Sequence, residues 1–522
     1  MAETTPVFAY GAAALLGVIS HVAYFNRSEH HLHAIRYMQL FALTYLATVF
    51  VLARTAESSP SPTAAAFRTA TSLASSYLAG LYASLLTYRL TPLHPLHAFP
   101  GPFLARLTSF YLPLHVLHRP PTTTGATKRS IPQAYRTLAA LHARHGPIVR
   151  VGARELSVAD PAAVPLVYGP GSACAKAPWY DNDAPLTSMH TSRDRAHHDA
   201  RRRVWARAFA ERAVRGYEGR VEGLVGVLVG RLRGEGNEGD EGVDARSLFA
   251  WFAYDVMGAL AFGREDGFGL PTWAFRSLAA IPGLAAGYWK FIGYCSDQLD
   301  ERMKTKPEHP DIMSSLIEPV KDRELSDREL KMLQADSRLI IVAGSDTTSS
   351  TLTHIFYHLA ASPEHQAKLL AELRPHMSSS SPDAAATADP TFPPRILQDL
   401  PHLNGLISET LRLHPPVPSA LQRLTPPTTG LTLPNGTHIP PDTVVWCPSF
   451  VIGRSAAAYV EPEAFVPERW YDGEKKGWVR QEKAFAPFSM GAYACIGRPL
   501  ALMELRCVVA RVVAVFEVAV GV

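Results

Sequence analysis

One cysteine near the end of the chain lies in a glycine-rich stretch, FSMGAYACIG, which begins at Phe488. The residues that follow, RPLALMELRCVVARVVAVF, are typical of a helix, so Cys495 lies just ahead of a helix N-terminus. Partial positive charge and free N–H groups at that end favour a thiolate over a thiol. Gly491 and Gly497 let backbone amides approach the sulfur and leave room for a flat group beside it. The sequence therefore predicts an ionised cysteine at the edge of an open site.

A second group of chemically active residues lies in the stretch IIVAGSDTTSSTLT. Asp346 and Thr347 are poor formers of a helix interior, because their side chains compete for backbone hydrogen bonds. The small residues Ala343 and Gly344 before them would let a ligand come close to the backbone. A helix start capped by Ser345 or Asp346 is the alternative, although the apolar pattern runs through both sides. We expect a helix locally opened at Asp346 and Thr347, with a polar pocket at the break.

A third motif is LISETLRLHPPVP, whose apolar residues recur at helical spacing until the prolines end the helix. Glu409 and Arg412 are three residues apart, so they lie on one helix face and can form an ion pair. Such a pair alone is usually a weak contact exposed to solvent. Arg469, in the stretch FVPERW, would complete a buried Glu–Arg–Arg network with bidentate geometry.

The composition favours a globular protein with a substantial core. Of 522 residues, 47% are hydrophobic and 19% are charged, and the net charge is only +4. No stretch shows basic residues interleaved with aromatic ones, which argues against nucleic-acid binding. The cysteines are odd in number, widely spaced and without a CxxC pair, which argues against a disulfide framework or a zinc site and favours a reducing compartment. We expect four of them to be small buried apolar residues: Cys174, Cys295, Cys447 and Cys507.

The first 92 residues are typical of a membrane anchor with one to three transmembrane helices. Residues 6–25 and 34–53 are apolar and reach the ~20 residues needed to cross a bilayer core of about 30 Å. Residues 73–90 are richer in serine and are a weaker candidate. Arg27 and Arg36 follow the first span, whereas no basic residue precedes it. This asymmetry favours an N-terminus outside and a first loop inside, and either one span or three would place the rest of the chain in the cytosol.

The remainder divides into a proline-rich connector, 93–134, and a globular region, 135–522. The prolines of LHPLHAFPGPFLARL predict a stiff, extended connector without a helix. The globular region has mostly helical patterns with short strand-like runs at PIVRVG, ELSVAD, GLTLPNGTHIP and TVVWCPS. The stretches RGEGNEGDEGVD and HMSSSSPDAAATADPTF are predicted to be loops. The predicted fold class is therefore mainly α with small β-sheets, preceded by N-terminal transmembrane helices.

Together these motifs resemble the cytochrome P450 family. FSMGAYACIG is similar to the haem-binding signature FxxGxRxCxG, SETLR to the ExxR helix, PERW to the PERF-like segment and AGSDTT to the oxygen-activating helix. All four occur in the family's order across roughly the last four hundred residues. The stretch CIGRPLALMELR and the apolar start look most like membrane-bound fungal enzymes of secondary metabolism.

The resemblance implies the cytochrome P450 fold and a role for each motif. Cys495 would be the axial thiolate ligand of the iron of haem b, with Phe488 and Gly491 shaping the turn that holds it. Asp346 and Thr347 match the acid–alcohol pair that delivers protons to iron-bound dioxygen. The family's structural network on the cysteine side corresponds to Glu409, Arg412 and Arg469.

The resemblance also implies contacts to the haem propionates. AHHDARRRVWARAFA is similar to the family's C-helix, where His198 and Arg202 fit the spacing of the propionate-binding pair. A solvated basic helix face is the alternative, since three adjacent arginines cannot all point inward. Arg423, in SALQRLTP, lies where the family often places another such arginine. Tyr493 stands where the signature has Arg or His, and tyrosine can donate a hydrogen bond but supplies no charge. Haem binding would therefore depend more on Arg202 and Arg423.

The expected function is that of a haem-thiolate monooxygenase, anchored in the endoplasmic reticulum membrane with its catalytic domain facing the cytosol. It would insert one oxygen atom from O2 into a lipophilic small molecule of fungal secondary metabolism. No GxGxxG follows a strand, so electrons would come from NADPH through a separate cytochrome P450 reductase. A haem-thiolate isomerase or dehydratase without external electrons is one alternative. An inactive haem-binding protein is another, because we expect the family's C-terminal β-hairpin to be missing after Val522.

Overall fold

Helices make up most of the fold, and the computed structural model describes residues 4–55, 61–117, 134–184, 186–235, 242–262, 286–377 and 390–520. The loops predicted after Arg233 and His376 lie largely outside these described residues. In chain order the first helices are α1 (Thr4–Ile19), α2 (Ala34–Thr55), α3 (Pro62–Leu90), α4 (Phe103–Leu107), α5 (Tyr111–Leu117), α6 (Ala134–His145), α7 (Ala163–Tyr168), α8 (Arg195–Ala208) and α9 (Glu211–Glu235). They are followed by α10 (Ala245–Phe262), α11 (Ala286–Lys304), α12 (Ile312–Ile317), α13 (Asp327–Ala361), α14 (Pro363–Leu373), α15 (Pro394–Gln398), α16 (Pro401–Leu413), α17 (Ser449–Ile452) and α18 (Arg498–Val515).

The N-terminal helices α1 and α2 each pack against α3 and leave large apolar side chains exposed. Two segments are long and apolar enough to cross a membrane, Val7–Phe25 and His31–Thr55. Helix α3 approaches α1 closely, because a Cβ atom on Gly80 would lie only 2.0 Å from the carbonyl oxygen of Ala14. Small residues at such a contact are typical of helix packing within lipid.

The connector after α3 is not extended, so that expectation is wrong for its described part. Consecutive turns follow α3, with the N–H of His94 donating to Thr91 and the N–H of His97 donating to His94. Leu96 is buried, and its carbonyl accepts a hydrogen bond from the buried side chain of Arg150. The prediction of a connector without a helix is also wrong, since the short helices α4 and α5 lie within it. The apolar residues of the segment fold it onto the globular region, as the burial of Leu96 shows.

A small mixed sheet lies beside the helices, and each predicted strand-like run contains a strand. Its order is β1-β2-β7-β4-β3, with β2 and β7 parallel and the other pairs antiparallel. A separate hairpin pairs β5 with β6. Across β3 and β4, Lys176 lies directly opposite Arg423. The strands are β1 (Ile148–Gly152), β2 (Glu155–Val158), β3 (Ala175–Lys176), β4 (Arg423–Leu424), β5 (Leu431–Thr432), β6 (His438–Ile439) and β7 (Val444–Trp446).

The long helix α13 crosses the main core and packs against α10, α16 and α18. Ser326 begins it with a capping box to Glu329. The helix continues without a break through Asp346 and Thr347, so the expectation of a locally opened helix is wrong. The hydroxyl of Thr347 donates to the carbonyl oxygen of Ala343 at 2.8 Å, which satisfies the side chain inside an intact helix.

Candidate functional site

A cavity of ≈ 320 Å³ separates α13 from the turn that carries Cys495. Ala343, Gly344 and Thr347 line it from α13, while Phe488 and Cys495 line it from the turn. Much of the remaining wall is apolar and includes Met257, Leu339, Ile340, Val417, Ala420 and Leu421.

The turn before α18 presents the sulfur of Cys495 to this cavity. The N–H of Cys495 donates to the carbonyl oxygen of Phe488 at 2.8 Å, which closes the turn. Gly491 has φ +67°, and a Cβ atom there would lie 2.6 Å from the carbonyl oxygens of Tyr168 and Gly169. Glycine is therefore required both by the left-handed backbone and by the close approach to α7.

The electrostatics of Cys495 differ from the expectation for a helix N-terminus alone. The sulfur is exposed towards the cavity, but protein atoms surround its other sides, and this burial raises the pKa of the thiol. Hydrogen bonds from the N–H groups of Gly497 and Arg498 and the charge of Arg202 lower that pKa, without overcoming the burial. A metal cation at the sulfur would supply the remaining stabilisation of a thiolate.

The acid and the alcohol of the AGSDTT motif lie on different sides of α13. Thr347 lines the cavity, whereas Asp346 is not among the lining residues. The hydroxyl of Tyr254, on α10, lies 3.4 Å from a carboxylate oxygen of Asp346. The structure therefore brings Thr347 to the cavity and places Asp346 against the neighbouring helix.

Glu504 is a cavity residue that the sequence reasoning missed. It lies on α18, is only 1% exposed, and burial raises the pKa of its carboxyl to about 8, with a hydrogen bond from Thr348 opposing the shift. Its signal in the sequence is the one acidic residue in the otherwise apolar and basic segment RPLALMELRCVVARVV.

Basic side chains gather at one end of the cavity. Arg202 donates to the carbonyl oxygen of Ala494 at 2.7 Å, next to Cys495. Arg423 donates to the hydroxyl of Tyr180 at 2.9 Å, while its buried Nε has no hydrogen-bond partner among the described residues. The ring of His198 lies 4.7 Å from that of Tyr493. The predicted residues of this group therefore come together.

Lys176 belongs to the same group and was not predicted. It is 3% exposed, lines the cavity, and lies 4.8 Å from the centre of the Tyr493 ring. Burial, together with the charges of Arg423 and Arg202, lowers its pKa to about 7. Glu504 is the one carboxylate among the described residues that line the cavity.

The basic end of the cavity therefore fits the two propionates of a haem group. Three cations, Lys176, Arg202 and Arg423, face the cavity with a buried unpartnered N–H among them, and two carboxylates would provide counter-charges. Cys495, which also lines the cavity, offers a sulfur ligand for the iron.

The three adjacent arginines of α8 have three different environments. Arg201 is buried and pairs with the carboxylate of Asp336 at 2.5 Å, Arg202 faces the cavity, and Arg203 is exposed. The alternative of a solvated basic face thus holds for Arg203.

The predicted Glu–Arg–Arg network is present and fully buried. Arg412 donates two hydrogen bonds to Glu409, at 2.9 and 2.7 Å, and Arg469 donates one at 2.9 Å. The indole N–H of Trp470 and the backbone N–H of Val466 complete five bonds to this carboxylate. Each arginine also donates three hydrogen bonds to backbone carbonyls of residues 453–464.

A histidine cluster outside the cavity is a hydrogen-bonded contact between helices. The ligand atoms of His365, His402 and Glu468 lie within 4.8 Å of one another. However, Lys368 already neutralises Glu468 at 2.7 Å, and both ring nitrogens of His402 have partners. The cluster therefore holds the PERW segment against α14 and α16.

Comparisons with known proteins agree with these features. A family model described as Cytochrome P450 matches residues 268–521. The chain is 41% identical to the cytochrome P450 monooxygenase notG' of Aspergillus versicolor, over 98% of this chain and 92% of the relative. It is 39% identical to the tryprostatin B 6-hydroxylase of Aspergillus fumigatus, over 97% of this chain and 90% of that relative. It is 37% identical to the cytochrome P450 monooxygenase sthD of Phaeosphaeria nodorum, over 86% and 93% respectively.

Proposed function

Because the chain belongs to the cytochrome P450 family, as the sequence motifs indicated, we propose that it hydroxylates an apolar small molecule with one oxygen atom from O2. The observation that carries the proposal is the sulfur of Cys495, which faces Thr347 across an apolar cavity. The family and the named relatives are monooxygenases, so the chain is an oxidoreductase of that type.

Haem b would be held by Cys495 at the iron and by Arg202, Arg423 and His198 near the propionates. When bound, haem supplies the iron centre that activates dioxygen for insertion into a C–H bond. Glu409, Arg412 and Arg469 would hold the fold around the cysteine side.

Thr347 and Asp346 would handle the protons that oxygen activation consumes. Thr347 Oγ keeps its proton in the bond to Ala343 and exposes its lone pairs to the cavity, where it can hold a water molecule. Asp346 lies one position before Thr347 on the helix, beside Tyr254, where it can exchange protons with groups outside the cavity.

The apolar wall would select a lipophilic substrate and exclude water from the reaction. Two curated relatives are named as tryprostatin B 6-hydroxylases, at 39% and 38% identity. Tryprostatin B is therefore the first compound to assay, followed by other fungal secondary metabolites.

Electrons would come from NADPH through a separate cytochrome P450 reductase. Arg203 and Arg207 are exposed on α8, the helix that carries Arg202, and Arg498 is exposed at the start of α18, three residues after Cys495. Such a basic surface would attract an acidic partner.

The N-terminal helices would anchor the protein in the endoplasmic reticulum membrane with three spans. The loop between α1 and α2 lies against the catalytic domain, so the loop and the domain lie on the same side of the membrane. Helix α3, 29 residues and about 43 Å long, would then cross back to that side. The contacts of the loop are Arg193 with Glu29 (2.7 Å), His31 with Asp181 (2.9 Å) and Arg154 with Asn26 (3.2 Å).

Membranes that contain this protein and a fungal reductase test the proposal. We expect a thiolate-type spectrum of the reduced carbon monoxide complex and, with tryprostatin B or another metabolite, a product that carries one atom from 18O2 only when NADPH is supplied. Cys495→Ser should abolish that spectrum, whereas the control Cys295→Ala, at a buried cysteine outside the cavity, should retain it. An unchanged spectrum of Cys495→Ser, or turnover without NADPH, would contradict the proposal.

Thr347→Ala should retain haem but deliver protons poorly. We expect product formed per NADPH to fall about ten-fold or more, with hydrogen peroxide released instead. The matched control is Thr353→Ala, which removes a similar intrahelical hydroxyl bond (2.8 Å) away from the cavity. Equal product yield in the two variants would exclude the role of Thr347.

A further inference from the structure

Two buried cations face each other across the β3–β4 pair. Lys176 and Arg423 are directly opposite in the antiparallel register, and they are 3% and 1% exposed. Like charges directly opposite on a sheet are destabilising, and a buried cation without a counter-ion costs free energy. The pair therefore needs an anion, and strands β3 and β4 contain no acidic residue.

The hydrogen bonds of this pair leave donors for such an anion. Lys176 donates to the carbonyl oxygens of Met189 and His190, at 3.1 and 2.6 Å, which uses two of the three ammonium protons. Arg423 has its buried Nε without a partner among the described residues.

The neighbouring carboxylate does not neutralise the pair. Asp199 receives its hydrogen bonds from Arg195 at 2.6 Å and from the ring of His198 at 2.8 Å. Its charge is therefore directed to the outer side of α8, where it is partly exposed.

Tyr493 lies at the centre of the cationic group. Its ring centre is 4.8 Å from Lys176 Nζ, 5.0 Å from Arg423 Cζ and 5.5 Å from Arg195 Cζ. An aromatic face attracts cations, whereas an arginine here would add another positive charge beside them. The tyrosine in place of the signature arginine thus matches the presence of Lys176.

We propose that Lys176, held over the ring of Tyr493, supplies positive charge to a haem propionate. It would replace the charge of the arginine that the family signature has in place of Tyr493. The assignment rests on the proposed function, because it requires bound haem. Lys176 and Arg423 would both supply charge to the propionates, and Tyr493 would orient the ammonium group.

Haem retention in the full-length, detergent-solubilised protein tests this assignment without any turnover. The rate of haem transfer to an excess of apomyoglobin is compared for the wild type, Lys176→Met, Tyr493→Arg and the double variant. A charge-assisted bond contributes about 1.5–3 kcal/mol, so Lys176→Met should lose haem about ten-fold faster or more. Tyr493→Arg in the Lys176→Met background should restore retention, whereas Tyr493→Arg alone should not improve it.

A second measurement separates a charge on a propionate from a general effect on the fold. With haem dimethyl ester, whose propionates carry no charge, the wild type and Lys176→Met should lose the cofactor at equal rates. Lys176→Arg keeps the charge and should retain ordinary haem, and Lys331→Met, at an exposed lysine, is the control.

Three results would overturn the assignment. The first is that Lys176→Met loses ordinary haem no faster than the wild type. The second is that the two proteins still differ in their rates of cofactor loss when they hold haem dimethyl ester. A wild-type chain that takes up no haem would overturn this assignment and the proposed function together, whereas the first two results overturn this assignment alone.

Discussion

The molecule buries two clusters of charged side chains, and they differ in whether protein atoms complete them. Around Glu409, five donors satisfy one carboxylate, and its two arginines donate six further hydrogen bonds to backbone carbonyls. Around Lys176, three cations meet only carbonyls, hydroxyls and aromatic rings, with one buried N–H left without a partner among the described residues. The first cluster is self-contained, and the second is built for an anion.

This difference separates residues that hold the fold from residues that bind. A satisfied buried network rigidifies the protein whether or not a ligand is present. An unsatisfied network destabilises the ligand-free protein. A ligand that satisfies it binds only the folded state and thereby stabilises the protein. Burial of a charge therefore does not by itself distinguish a structural residue from a binding residue. The distinction lies in whether other protein atoms satisfy the hydrogen bonds of the charged group.

The largest effect should come from breaking the self-contained cluster. Glu409→Ala leaves Arg412 and Arg469 buried without their carboxylate, which typically costs about 3–5 kcal/mol. Since that is a large fraction of the stability of a domain, we expect little folded protein with or without haem. Protein recovered after limited proteolysis and the reduced carbon monoxide spectrum measure this. Lys331→Met, which removes an exposed ion pair, should change stability by less than about 1 kcal/mol. Normal recovery of Glu409→Ala would show that the network does not hold the fold.

A smaller and different effect is expected from the anion-binding cluster. Arg423→Leu removes a buried charge, so the haem-free protein should unfold at an unchanged or higher temperature. The same variant should lose haem about ten-fold faster, because a charge-assisted bond to a propionate is lost. Unfolding scans of the haem-free form and haem transfer to apomyoglobin measure the two effects. If Arg423→Leu is destabilised without haem yet retains haem normally, Arg423 holds the fold and does not bind the propionate.

The smallest effect is a pH dependence of the haem-free protein. Burial lowers the pKa of Lys176 from 10.5 to about 7. Between these values the unfolded chain keeps a proton that the folded chain has released, so the free energy of unfolding rises with pH. Denaturant unfolding should show a larger gain from pH 7.5 to 9 in the wild type than in Lys176→Met.

The neighbouring histidines should not disturb this measurement. His190 and His198 have pKa values lowered to about 3 and about 4, mainly by burial, so both are neutral throughout the range. Bound haem should reduce the rise of the free energy of unfolding with pH, because a propionate keeps the lysine charged. Equal slopes for the wild type and Lys176→Met would mean that this lysine does not titrate in the range.

Local patterns in the sequence predicted much of the fold. Each of the four strand-like runs contains a strand, and the helix after Cys495 begins at Arg498. The expected opening at Thr347 was wrong, because a threonine hydroxyl can bond the preceding turn and leave the helix intact. The extended connector was wrong because propensity does not include the burial of residues such as Leu96.

The residue types and the order of the motifs, including the cysteine, the threonine and the partners of Glu409, could be identified before the fold was known. They follow from local spacing, which a chain carries before it folds. By contrast, the packing of the folded chain brings Thr347 rather than Asp346 to the cavity and Lys176 opposite Arg423 beside Tyr493. Lys176 is 247 positions from Arg423 in the numbering of the chain. Contacts over such separations depend on how sheet and helices pack, and no local pattern encodes them.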